Sequence, residues 1–149
     1  MIPILILLPL IAGAAAFALR ERTPARPLLG GVALAHAALS AACWRWRPGP
    51  ALGGWLALDD AGLLMLSLAS VLFLAAALYR TGAPPGGREA PAHLRAGCLL
   101  VFLSTMTLTA ASRHLGLLWV AVEATTLATA PLIYAQRTAR ALEATWKYL

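Results

Sequence analysis

The sequence predicts an all-α fold: one domain over residues 1–149, a polytopic transmembrane bundle of five helices plus the start of a sixth. Three observations carry that expectation. Of the 149 residues, 60% are hydrophobic and 12% charged, whereas soluble domains hold roughly 45–50% apolar and about 25% charged residues. The mean hydropathy is +0.75. The apolar residues gather in runs close to the roughly 20 residues that one helix needs to cross a bilayer, and nearly all the arginines fall in the gaps between them. The net charge of +6 therefore reads as a topology signal facing anionic lipid, with no nucleic-acid partner expected.

The first run, 2–19, follows Met1 with no basic leader ahead of it. A cleaved signal peptide has a positively charged start, so this is expected to be a retained first helix, with Pro9 as a point of kinking that neighbouring helices can satisfy. Arg20 to Pro27 interrupts it with charge and two prolines. The second span is expected over 28–44, with Trp44 and Trp46 at an interfacial aromatic belt. Pro48, Pro50, Gly53 and Gly54 mark a turn-rich connection, and the third span follows over 56–79. Asp59 and Asp60 fall in its first turn, where negative charge complements the positive end of the helix dipole. The polar stretch 80–95 is the longest connection. A fourth span is expected over 96–112 and a fifth over 117–135, joined so closely that they form an antiparallel hairpin. After Arg137 and Arg140, residues 141–149 begin a sixth helix.

Arginine placement orients this layout. The first, third and fifth connections carry Arg20, Arg22, Arg26, Arg80, Arg88, Arg95, Arg137 and Arg140, while the second and fourth carry Arg45, Arg47 and Arg113. By the positive-inside rule the odd connections are cytoplasmic and the N-terminus lies outside, in a cell inner membrane. Cys43 and Cys98 sit in apolar runs without CxxC or metal spacing and read as small buried hydrophobes. No sequence motif for a nucleotide, flavin or metal is present, so neither a cofactor nor catalysis on a soluble substrate is expected.

Glu123 is the most informative residue. It stands in the middle of the fifth run, and a charged carboxylate at the bilayer centre costs roughly 2.5–3.5 kcal/mol on insertion scales. It must therefore face protein or water, be paired, or be protonated. The competing reading is a neutral carboxylic acid that hydrogen-bonds a neighbouring helix. Lys147 is the candidate partner: roughly 20 Å along the fifth helix for Glu123, and roughly 13 Å along the sixth for Lys147, put the two at comparable depths at 1.5 Å per residue. A lysine and a carboxylate in low dielectric each favour the other's charged form, which is what a proton relay requires. Against this, Lys147 also suits a lysine snorkelling to the interface, and Glu143, four residues before it, competes for it. Thr125 and Thr126 are supporting candidates for a hydroxyl path, with bonding to their own backbone the plainer reading. His36, alone in the second span, is a further supporting candidate, with a hydrogen-bonded packing role favoured.

The segment from His114 through Leu117-Leu118-Trp119-Val120-Ala121-Val122-Glu123 to Ala141-Leu142-Glu143-Ala144-Thr145-Trp146-Lys147-Tyr148 resembles the antiporter-like proton-translocating subunits. That family comprises large membrane subunits of respiratory complex I, Mrp-type sodium/proton antiporters and group 4 hydrogenases, and the likeness is greatest to the hydrogenase-4 component F type. There a Trp-x-x-x-Glu pattern in the fifth helix carries an essential carboxylate, matching Trp119 and Glu123, and a lysine early in the sixth matches Lys147. An aspartate heading the third helix matches Asp59 or Asp60. The resemblance implies a proton half-channel at Glu123 with other membrane subunits of a respiratory or hydrogenase complex as partners, protons as the cargo and no redox cofactor in this chain. Members continue into further helices that bear more key lysines and histidines, so the resemblance also implies that these residues are the N-terminal part of a longer subunit. Two other readings compete: a transport-inactive scaffold or assembly protein, and an unrelated small multi-pass transporter.

Overall fold

The computed structural model describes residues 1–19, 25–82, 90–136 and 138–148. Six α-helices account for most of these residues: α1 (Ile2–Leu19), α2 (Ala25–Trp46), α3 (Asp60–Gly82), α4 (Ala92–Ala111), α5 (Leu115–Ile133) and α6 (Ala139–Tyr148). The fold is all-helical, as the composition requires, and α2 to α5 are each long and apolar enough to cross a membrane. With its 18 residues, apolar along its whole length, α1 stands at the short end of the range of about 17–25 for a span. The sixth element differs from expectation. It is a separate helix of 10 residues, polar on one face, so the described chain holds six helices instead of five and a beginning.

The boundaries shift where local chemistry decides them. Helix α3 starts at Asp60, later than the expected 56, because residues 51–56 are held by a turn: the Ala51 N–H donates to the Leu56 carbonyl at 2.8 Å, and Leu52 and Gly53 adopt positive φ of 50° and 64°. Asp59 then caps the helix, its carboxylate accepting from the Gly62 N–H at 2.7 Å, which satisfies a first-turn donor left without a carbonyl. At the other boundary, α5 carries Pro131 inside its last turn and gives way to a 3-10 turn at Tyr134–Gln136. The expected helix end at 135 thus falls two residues early, at Ile133, where the chain tightens into the 3-10 turn. Of the basic residues used for orientation, Arg20, Arg22, Arg88 and Arg137 lie outside the described residues.

Helix α4 is the shared neighbour, packing on α1, α2, α3 and α5. Its approach to α1 is close: a Cβ on Gly13 would stand 3.0 Å from Val101 and 3.1 Å from the Gly97 carbonyl. Leu29, Phe73, Leu100 and Leu103 join α2, α3 and α4 in one apolar cluster, while Leu5, Cys43, Leu63 and Leu66 form a second that brings in α1. At the end of the bundle holding the α2–α3 and α4–α5 connections, the Arg113 N–H donates to the Trp55 carbonyl at 2.8 Å and the Trp55 and His114 rings stack at 4.7 Å. These bonds tie the two connections together. Helix α6 packs against α5, with Ala141 buried.

Candidate functional site

Helix α5 buries only Ala121 and Ala130. Leu117, Leu118 and Ala124 are among its half-buried residues, and an outward face carries Trp119, Val120, Val122, Glu123 and Leu127. Trp119, Glu123 and Leu127 are spaced by four and so share one stripe. The helix forms because its apolar residues suit one, and because His114 caps its start by accepting from the Leu117 N–H at 3.4 Å. Packing on α4 then fixes which face is left over. Glu123 is on that leftover face, and no hydrogen bond or ion pair engages its carboxylate among the described residues.

The expected pairing of Glu123 with Lys147 is absent from this arrangement. The Lys147 Nζ donates to Glu143 Oε1 at 2.6 Å, an i,i+4 pair on the outer face of α6 with both side chains well exposed. Depth accounts for the separation. The Tyr148 hydroxyl meets the Thr129 hydroxyl at 3.0 Å, so the end of α6 is level with Thr129, six residues or roughly 9 Å of helix axis short of Glu123.

The threonines of α5 bond to their own helix. Thr125 Oγ1 donates to the Val122 carbonyl at 2.6 Å, Thr126 Oγ1 reaches the same oxygen at 3.5 Å, and Thr129 Oγ1 reaches the Thr126 carbonyl at 3.1 Å. Only Thr129 extends the series, through Tyr148, to another helix.

His36 occupies a different place. Its side chain is fully buried, with Nδ1 3.0 Å from Ser70 Oγ on α3 and Nε2 3.0 Å from Thr107 Oγ1 on α4. The imidazole thus joins three helices. Both hydroxyls are also placed to donate to carbonyls one turn back, Ser70 to Leu66 at 2.7 Å and Thr107 to Leu103 at 2.8 Å. If both do so, the ring nitrogens meet only acceptor lone pairs, and a neutral ring has just one N–H to give. One hydroxyl must then turn its proton to the ring and leave its carbonyl to the helix N–H alone. Nearby, Ser104 Oγ donates to the Ile6 carbonyl on α1 at 2.8 Å, next to the Leu5 carbonyl whose usual donor Pro9 lacks. Ser40, one turn after His36, is buried with its hydroxyl unpartnered.

Sequence reasoning singled out His36 but missed Ser70 and Thr107. The sequence held no signal for them: with the expected span limits of 44 and 56, His36 lies eight residues and Ser70 fourteen from the connection, and only the observed helix ends at Trp46 and Asp60 set both ten residues away. Among the described residues, no three His, Cys, Asp or Glu side chains gather in a geometry able to hold a metal ion. No family model matches the chain, and no curated protein or solved structure matches it.

Proposed function

We propose that this chain is the N-terminal part of a proton-translocating, antiporter-like membrane subunit of a respiratory NADH dehydrogenase-like or group 4 hydrogenase complex. In this reading α1 to α5 all span the inner membrane with the N-terminus outside, and α6 opens the next segment. One observation carries the proposal: Glu123 stands in the middle of an apolar helix, on the face the bundle leaves uncovered, with no partner of its own among the described residues. A carboxylate there is too costly to leave facing lipid, by roughly 2.5–3.5 kcal/mol at the bilayer centre. It is therefore expected to meet protein or a water-filled path. Ionisable groups so placed mark ion pathways in membrane proteins, and the Trp119-x-x-x-Glu123 pattern of the resembling family falls on this same stripe.

Within this reading Glu123 is the proton carrier, changing charge as a cation on a neighbouring segment approaches and withdraws. Lys147 contributes the cation at the α5–α6 end, held in register by Glu143, with Thr129 and Tyr148 as the hydroxyl contact between the two helices.

The deciding experiment is Glu123→Gln in the full-length subunit within its complex, assayed in sealed membrane vesicles with a pH-sensitive dye. Proton translocation is expected to be abolished while the complex still assembles, because glutamine keeps the size and hydrogen-bonding capacity and loses only the titrating group. Normal pumping by that variant would overturn the assignment.

A further inference from the structure

Between α3 and α4 runs a cavity of about 450 Å³. Its existence follows from small side chains: Gly62, Ala69 and Ala110 leave the room, and Met65, Leu72 and Met106 border it. Gly62 permits the helices to close behind it, since a Cβ there would stand 2.6 Å from the Ala110 carbonyl. Met65, Leu68 and Leu72 turn their apolar surface outward beside the opening, so the cavity is a groove facing whatever surrounds the bundle. From Asp59 to Leu72 it follows α3 for thirteen residues, roughly 20 Å. That length reaches past the middle of a hydrocarbon layer roughly 30 Å thick.

One end of the groove is charged. Asp59 and Arg113 both line it, and Arg113 Nη1 donates to Asp59 Oδ2 at 3.3 Å, each side chain about half exposed. A guanidinium has five N–H donors, and this bond uses one of them. Asp59 keeps acceptor capacity beyond its bonds to Gly62 and Arg113. Arg47 and Asp60 pair beside it, so the mouth as a whole is neutral while displaying both signs.

We infer that this groove binds one zwitterionic, amine-bearing phospholipid of the phosphatidylethanolamine class: an acyl chain along α3 and α4, the phosphate on Arg113, and the ammonium on Asp59. An apolar slot of half-membrane depth that ends in a neutral pair of opposite charges, at helix ends where headgroups lie, complements a chain with a zwitterionic head. An anionic headgroup gains the arginine but brings no cation to the aspartate, only neutral hydroxyl donors in the case of phosphatidylglycerol. The inference rests on α3 and α4 being in a bilayer and is independent of proton translocation.

The test is native mass spectrometry of the purified chain in detergent, titrated with phosphatidylethanolamine or phosphatidylglycerol. The chain is expected to hold one phosphatidylethanolamine, with phosphatidylglycerol about tenfold weaker, the scale of one charge-assisted hydrogen bond. Arg113→Gln, at the exposed mouth, and Ala69→Phe, which fills the slot, are each expected to lower retention about tenfold with helicity and elution unchanged. If Ala69→Phe fails to fold, Arg113→Gln and the headgroup comparison carry the test. Equal retention of the two lipids, undiminished binding in Arg113→Gln, or splitting of a dimer of the chain by Ala69→Phe would each overturn the inference. Release of the chain from membranes by alkaline carbonate would instead remove its premise, the bilayer location.

Discussion

The body formed by α1 to α4 and the arm formed by α5 and α6 are built from similar residues and use them in opposite ways. In the body, every buried polar side chain among the described residues except Ser40 bridges helices: His36 to Ser70 and Thr107, and Ser104 to the α1 backbone. In the arm, Glu123 and Lys147 face outward, and the α5 threonines mostly bond their own carbonyls. Helix α4 buries eight residues, whereas α5 buries two. The difference teaches where each region finds its partners. Polar groups inside an apolar bundle must be satisfied there, because the bilayer offers no hydrogen bonds. On the arm's outer face Lys147 and Glu143 satisfy each other, while Glu123 has no partner among the described residues, so what satisfies it must come from outside them.

That contrast is open to attack by substitution, read as unfolding free energy of the chain in mixed micelles. The largest effect is expected for His36→Ala. It empties a ring-sized volume where three helices meet and takes the shared partner from Ser70 and Thr107, which should destabilise by about 3 kcal/mol. A loss below about 1 kcal/mol, within the range of an ordinary net hydrogen bond, would show that the cluster does not hold the body together. Next, Gly62→Ala is expected to cost about 2 kcal/mol, since the new methyl meets the Ala110 backbone oxygen, which cannot swing aside as a side chain can. Ser40→Ala runs the other way: removing an unpartnered buried hydroxyl should stabilise by about 1 kcal/mol. A decrease instead would reveal a partner for Ser40 and sharpen the account of the core. In the arm, Trp119→Ala and Glu143→Gln should each change stability by less than about 0.5 kcal/mol, one removing an outward ring and the other an exposed ion pair. A large loss from either would mean that the arm is as internally settled as the body, and the comparison would fail.

Much of this architecture was legible in the residues. Long apolar runs separated by arginine, proline and glycine have few alternatives to apolar helices, but the third helix was expected from 56 with Asp59 in its first turn, and it starts at Asp60 with Asp59 as its cap. The exposed stripe on α5 was half legible. The cost of Glu123 in an apolar run announced that something must meet it, but period and spacing do not say which face the neighbouring helix takes. The sixth helix misled for a local reason. The expected depths, roughly 20 and 13 Å at 1.5 Å per residue, already left a gap, and with the end of α6 level with Thr129 the lysine finds Glu143 one turn back on its own helix before it can reach Glu123.

The sequence by itself determined the class of the protein, a bundle of apolar helices suited to a membrane, and the presence of one carboxylate that such a helix cannot carry idly. Both follow from transfer free energies, which depend on composition along a single segment. Only the tertiary structure decided that His36 shares its two nitrogens between Ser70 and Thr107, that Gly62 and Ala69 leave a groove ending at Asp59 and Arg113, and that Glu123 faces outward. Those outcomes depend on which helices pack together and at what register. Packing is settled by the fit of whole surfaces, such as the close approach of α1 and α4 at Gly13, to which each residue contributes too little to be read alone.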